Sequence, residues 1–287
     1  MHDHEQSARP ATAVADDARD LYLDLMKRCL TRLAFDEPYR PLRRPAVRWQ
    51  ANALRVVQRA LAPRRLELVA KAPPAGAARE TGRDWPVAAE TMIGLARLEN
   101  VEQCVRDVLE QGVSGDLIET GVWRGGTTIF MRAILAAYGE TERVVWAADS
   151  FRGLPQPSGR YGADAGDPHW TYDDLAVSAD EVRRNFERYG LLDEQVRFLE
   201  GWFQETLPAA PIEKLAVARL DGDMYESTIV ALDALYPKLS PGGYLIVDDY
   251  GAIEGCRRAV DDYRREHGIG EPIREVDWTG VYWQRES

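Results

Sequence analysis

The sequence predicts an α/β protein: a mostly parallel sheet with helices on both faces, preceded by a helical N-terminal extension. Three observations carry this. From about residue 95 onward, short apolar β-branched runs alternate with stretches of helical periodicity. The part before residue 90 lacks such runs and is broken by proline-rich segments. The chain has 287 residues, 45% of them hydrophobic, a length that one α/β domain with an extension can fill.

The elements follow in order. Residues 1–17 read as a disordered tail. A helix is predicted over 17–33, because Tyr22, Leu25, Met26, Cys29, Leu30 and Leu33 recur at helical spacing behind Asp16 and Asp17 as caps. Three prolines make 37–45 a loop. A second helix is expected over 47–62, with Val47, Leu54, Val57 and Leu61 on one side and Arg48, Arg55 and Arg59 on the other. Residues 71–88 read as a linker, so the extension covers 18–90 and the main domain 91–287. Within that domain a helix over 98–111 leads into a strand at Asp116–Glu119. Further strands are expected at Arg143–Ala148, Gln195–Leu199, Leu215–Leu220 and Gly243–Val247. Helices over 127–138, 178–189, 226–238 and 253–267 fit between them. The last stretch differs: IREVD and GVYWQR read as two closing strands around Trp278–Gly280. A seven-stranded, mostly parallel sheet with such an ending is expected for a class I (Rossmann-like) methyltransferase fold.

Composition narrows the partners. A formal charge of −11 opposes nucleic acid and anionic membranes. No run of 18 apolar residues occurs, and the first residues have neither a basic start nor an apolar core, so neither a membrane span nor a secretory signal is expected. Cys29, Cys104 and Cys256 lie far apart, which argues against zinc and disulfides and suits a cytoplasmic protein. One segment departs from the average: residues 38–65 hold eight arginines and no acid. Its plain reading is a solvated helix face that packs in a homo-oligomer; binding of a nucleotide diphosphate is a second reading. An RNA-binding methyltransferase is a remote third, opposed by the net charge and by the absence of a [DN]-P-P-[YFW] motif.

The first predicted strand runs into a helix through ETGVWRGGT, with Gly121, Gly125 and Gly126. Such a turn admits a ligand close to the backbone, at the carboxyl ends of parallel strands where nucleotide-like ligands sit. A Walker loop, GxGxxG and a Tyr-x-x-x-Lys pair are all absent. Instead Glu119 ends the first strand and Asp149 the second. An acid at the second position can hold two ribose hydroxyls; one at the first suits a cationic methionine moiety and would repel a pyrophosphate. The pair therefore favours S-adenosylmethionine over NAD or ATP. The strand Leu215–Leu220 ends in Asp221 and Asp223, and the strand Gly243–Val247 in Asp248 and Asp249. Neighbouring in the sheet, the four carboxylates would repel one another unless a hard divalent cation, Mg²⁺, lay among them. Asp221, Asp248 and Asp249 are assigned to the metal and Asp223 to the base that takes a proton from an acceptor hydroxyl. The loop 151–177 beside the crevice is expected to be a substrate lid, with His169, Trp170 and Tyr172 as candidate sugar contacts.

ETMIGLARLEN (90–100), ETGVWRGGT (119–127), ADSFRGLP (148–155), GWFQETLP (201–208), RLDGDMYEST (219–228) and SPGGYLIVDDYG (240–251) closely resemble the TylF-type (macrocin O-methyltransferase-like) sugar O-methyltransferases. The resemblance implies S-adenosylmethionine, Mg²⁺, and methylation of a deoxysugar hydroxyl, nucleotide-linked or on a glycosylated natural product such as a macrolide. By motif it places Glu119, Thr120 and Gly121 on the methionine side of the cofactor, Asp149 and Ser150 on the adenosine side with Trp202 nearby, and Thr91 and Met92 in a segment closing over it. A catechol-type O-methyltransferase acting on a small phenolic is the alternative, though an Asn would be expected there as third metal ligand.

Overall fold

The computed structural model describes residues 11–35, 37–42, 48–71 and 76–286. In the extension, α1 spans Ala11–Leu30, so helix begins inside the expected tail; the alanine-rich start ATAVA favours it. Residues 1–10 lie outside the described residues. The expected loop at 37–45 and the linker at 71–88 are corrected in part. Tyr39–Pro41 (β1) and Val69–Lys71 (β2) pair as an antiparallel ribbon, with α2 (Arg48–Leu61) between them and a short helix α3 (Ala77–Glu80) after them. Local pattern does not reveal such short strands, because each is specified by its partner thirty residues away. Arg43 and Arg44 of the arginine-rich segment, and Val47 at the start of the expected second helix, lie outside the described residues.

The main domain follows the predicted alternation. Helix α4 (Leu95–Glu110) precedes β3 (Asp116–Thr120), α5 (Gly126–Ala137), β4 (Val145–Asp149), α6 (Ala179–Arg188) and β5 (Val196–Glu200). Then come a single turn α7 (Phe203–Thr206), absent from the sequence reading, β6 (Leu215–Leu220), α8 (Tyr225–Leu235), β7 (Leu239–Val247), α9 (Glu254–His267), β8 (Arg274–Glu275) and β9 (Val281–Gln284). The seven strands lie in the order β5-β4-β3-β6-β7-β9-β8. β3 to β7 are parallel, and β9 runs antiparallel to β7 and β8.

Every residue of β6 is buried, as expected for a central parallel strand covered on both faces. Alternation splits the core in two. Leu117 and Val217 join Leu23, Met26, Leu30 and Phe130 on one face; Ile118 and Ala218 join Leu232, Tyr263 and Trp283 on the other. The apolar stripe of α1 thus docks the extension onto α5. The chain proceeds outward from β3 through β4 and β5, then returns to the other side of β3 as β6. This reversal opens a crevice at the carboxyl ends of the strands, where the predicted site residues stand.

Candidate active site

Gly121 follows β3 at φ +84 and lies so near the end of β6 that a Cβ would collide with the carbonyl of Asp221. Its glycine is required by this backbone approach as well as by the turn. Thr120 is fully buried beneath it. Val122 and Trp123 donate their backbone N–H groups to Asp149 Oδ2 at 2.7 and 3.4 Å, and Phe151 donates to Oδ1 at 2.7 Å. Asp149 therefore holds the turn after β3 to the turn after β4. Burial raises its pKa, and these N–H donors oppose the rise. The buried Ser150 hydroxyl donates to the carbonyl of Gly153 at 2.7 Å. An apolar slot lined by Met92, Gly121, Trp123, Asp149, Ser150 and Trp202 opens here and reaches Asp221 and Asp223. Thr91 is buried where the 90–92 segment crosses the start of α5, tied there by Gly126 N to Glu90 O at 2.9 Å. Of the residues expected around a cofactor, Met92, Gly121, Asp149, Ser150 and Trp202 line this slot, Glu119 and Thr91 line the larger cavity beside it, and Thr120 lines neither.

At the ends of β6 and β7, ligand oxygens of Asp221, Asp248 and Asp249 lie within 4.8 Å of one another. Asp223 adjoins them, its N–H donating to Asp249 Oδ2 at 3.2 Å. One expectation is corrected: the cluster is not uncompensated. Arg219, the penultimate residue of LAVARL, donates to Glu119 Oε1 at 2.5 Å, to Asp221 Oδ2 at 2.8 Å and to Asp248 Oδ1. Arg97, from α4, donates to Asp248 Oδ2 and to Asp277 Oδ2 at 3.0 Å. Both oxygens of Asp248 are held by guanidinium groups. A charged residue inside a wholly buried strand needs buried partners, and Arg219 could have been found by that signal; Arg97, on an amphipathic helix, offered none.

The compensation is incomplete. Two guanidinium groups face the five carboxylates Glu119, Asp221, Asp223, Asp248 and Asp249, and the protonation equilibria show the excess. Against the cost of burial, Arg219 and Arg97 hold Asp248 below the usual carboxylate range. Burial and then Asp221 push Asp223 up to about 7. Burial and then Asp223 push Asp249 well above its ordinary value. Burial lifts Glu119 to about 7 against the pull of Arg219 and the Thr128 hydroxyl. An all-oxygen donor set with surplus negative charge fits a hard divalent cation.

Beyond the cluster lies a cavity of about 800 Å³ that also touches Glu119, Thr91 and Met92. Its walls include Trp85 and Arg79 from the extension, His169 and Tyr172 from the 151–177 segment, and Trp278 before β9. Trp85 meets Tyr172 edge-on at 6.0 Å, Tyr172 meets His169 at 5.4 Å, and Arg83 lies 4.3 Å over Trp278. Trp170, by contrast, is outside this cavity and 42% exposed. Trp85 and Trp278 were not singled out in the sequence, since they come from a linker and a turn without a motif.

A doubly wound sheet with the antiparallel β9 beside β7, and paired acids closing a glycine turn at its switch point, defines a class I methyltransferase. The chain belongs to the macrocin-O-methyltransferase (TylF) family, whose pattern it matches over residues 19–285. It is 51% identical to the 8-demethyl-8-(2,3-dimethoxy-α-L-rhamnosyl)-tetracenomycin-C 4′-O-methyltransferase of Streptomyces olivaceus, over 94% of this chain and 95% of that one. It is 57% identical to the demethyldecarbamoylnovobiocin O-methyltransferase of Streptomyces niveus, over 72% and 80% of the two chains. Identity to the mycinamicin III 3″-O-methyltransferase of Micromonospora griseorubida is 53%, over 73% and 84%. The solved structure of the O-methyltransferase NovP superposes with a TM-score of 0.79 at 47% identity, covering 94% of this chain and all of that one. Among the described residues, no helix is long and apolar enough to cross a membrane.

Proposed function

We propose that this methyltransferase moves the methyl group of S-adenosylmethionine to a hydroxyl of a deoxysugar already attached to its aglycone, in a Mg²⁺-dependent reaction of secondary metabolism. The observation that carries it is the convergence of Asp221, Asp248 and Asp249 between the apolar slot and the large cavity. The slot suits the cofactor and the cavity the acceptor. A cavity of about 800 Å³ exceeds a single pyranose several-fold, and its aromatic walls suit the apolar faces of a sugar and a fused-ring aglycone. The 51%-identical tetracenomycin enzyme, named for a rhamnosyl glycoside, supports the same acceptor class.

Each residue then has a role. Asp149 and Ser150 would hold the adenosine side, and Glu119, Thr120 and Gly121 the methionine side, with Thr91 and Met92 above and Trp202 beside. Asp221, Asp248 and Asp249 would hold Mg²⁺, which supplies charge that acidifies and orients acceptor hydroxyls. S-adenosylmethionine supplies an electrophilic methyl on a sulfonium. Asp223 accepts the acceptor's hydroxyl proton on its carboxylate as the new O–CH₃ bond forms. Arg219 and Arg97 fix Asp248, so the cluster keeps its shape before any ligand arrives. His169 and Tyr172 close the acceptor side against water.

The test is incubation with labelled S-adenosylmethionine and Mg²⁺ against dTDP-deoxysugars and rhamnosylated polyketides, read by mass spectrometry. One added methyl on a glycoside and none on nucleotide sugars is expected; methylation of nucleotide sugars alone would reverse the acceptor assignment. EDTA should abolish the activity and Mg²⁺ restore it, and full turnover in excess chelator refutes the metal. We also propose that copies of the chain associate through the extension. Trp49 and Val56 on α2 and Leu21 on α1 are each more than 60% exposed, and sedimentation of the full chain reads the outcome.

A further inference from the structure

The segment between β4 and α6 contains a buried carboxylate that the chemistry above does not use. Asp164, in the one-turn helix Gly162–Asp164, is 3% exposed. It accepts two backbone N–H bonds at the start of α8, from Tyr225 to Oδ1 at 2.8 Å and from Glu226 to Oδ2 at 2.9 Å. Helix α8 has no cap of its own, since Met224 at that position offers no side-chain acceptor. The first N–H groups of a helix need acceptors, and a carboxylate there also meets the positive end of the dipole. Here the cap arrives from 61 residues upstream.

Two neighbouring facts give this cap a consequence. Asp223 stands just before α8 with φ +58, a left-handed conformation that persists in a non-glycine residue only where its surroundings impose it. Its own N–H is held by Asp249 on one side, and on the other the chain enters a helix start fixed by Asp164. The same carboxylate lies against the start of α9, where a Cβ on Gly255 would come within 3.3 Å of Asp164 Oδ1 and 3.1 Å of Tyr225 N. Further contacts join the same surfaces: Tyr161 packs on Tyr225 at 5.0 Å, and the Ser158 hydroxyl donates to Glu226 at 2.6 Å. Three residues beyond Asp164, Asp167 accepts the backbone N–H of His169 at 2.8 Å and pairs with its Nδ1 at 2.7 Å. His169 and Tyr172 then form the cavity wall.

We propose that Asp164 is a positioning residue: its carboxylate locks the 151–177 segment onto α8, so that the acceptor wall and the loop bearing Asp223 are held as one unit. The kinetic part rests on the reading of Asp223 as base; the docking itself does not. The experiment uses the full chain with Asp164→Ala and Asp164→Asn. Asparagine keeps one acceptor oxygen and sets an amide against the second N–H. In Asp164→Ala, trypsin should cut after Arg160 at least tenfold faster than in the native protein. Turnover of the glycoside acceptor should fall at least tenfold and its KM should rise, while the S-adenosylmethionine Kd measured by calorimetry stays within threefold. Asp164→Asn should fall between the two. Cleavage after Arg160 or turnover within twofold of native overturns the proposal, as does a uniform rise in cleavage along the chain with loss of cofactor affinity, the mark of a merely structural cap. Should Asp164→Ala fail to fold, Glu226→Ala removes the side-chain acceptor of the Ser158 hydroxyl from outside the cleaved segment and leaves the backbone N–H that Asp164 holds; it should speed the same cut about threefold, and an unchanged rate there overturns the proposal. Trypsin cleavage needs no turnover, so an active Asp223→Asn enzyme would remove the base assignment without touching the docking result.

Discussion

The acids at the ends of β3 and β4 and those at the ends of β6 and β7 border one crevice, yet they are satisfied in opposite ways. Asp149 gives its oxygens to the backbone N–H groups of Val122, Trp123 and Phe151. Asp221, Asp223, Asp248 and Asp249 have two arginines and one another. Backbone donors are fixed dipoles, so Asp149 spends its charge on the shape of two turns. The second group retains more negative charge than its arginines neutralise, and like charges raise one another's pKa. A carboxylate whose oxygens are all taken by backbone donors serves the shape of the turn; a cluster with surplus charge fits the divalent cation proposed above. Glu119 stands between them, buried with Thr128 and Arg219 as partners, and through Arg219 it ties the turn after β3 to the aspartate cluster.

The sharpest way to break the contrast is to remove charge from the second group alone. Asp249→Asn should lower kcat/KM at least about 100-fold, a loss within what metal-dependent catalysis supplies, with the S-adenosylmethionine Kd within threefold by calorimetry. Equal losses in both would mean that the two groups are one site. Asp248→Asn adds a second effect, because it leaves Arg97 and Arg219 facing a neutral amide. Breaking such a buried pair costs about 3–5 kcal/mol, and the thermal midpoint should drop by about 5–8 °C, whereas that of Asp249→Asn should hardly move.

On the other side, Asp149→Ala should raise the S-adenosylmethionine Kd about tenfold, since three N–H donors lose their acceptor and the turn its shape. The Mg²⁺ concentration for half-maximal activity should stay constant. An unchanged cofactor Kd would displace Asp149 from the cofactor side. The smallest effect concerns pH. In the metal-free protein Asp223 and Glu119 sit at about 7, above the value near 4 of an unfolded chain. A folded state that holds its protons more tightly loses stability as pH rises through that window. Melting of the metal-free protein should therefore fall by roughly 3 °C between pH 5 and pH 8, and saturating Mg²⁺ should raise the midpoint more at pH 8 than at pH 5. Equal Mg²⁺ effects at the two pH values would show that the surplus charge is not what the ion neutralises.

Much of this was legible in one dimension. The alternation of apolar runs and helical stretches determined the doubly wound sheet, because burial on both faces demands continuous apolar strands such as Leu215–Leu220. The acids at the carboxyl ends of β3 and β4 and just after β6 and β7 were bound to gather, since parallel strands bring those ends to one edge. Gly121 marked the turn, though its second reason, the closeness of the Asp221 carbonyl, was hidden.

What only the tertiary structure decided are contacts between residues far apart in the chain. Arg97 reaches Asp248 across 151 positions, Asp164 caps α8 across 61, and Trp85 and Trp278, far apart in the chain, wall one cavity. The β1–β2 ribbon likewise exists only through its pairing. Periodicity and motif record what a residue does for its own helix, strand or turn. The partner of a buried charge is chosen by packing, and packing is settled only when the layers meet.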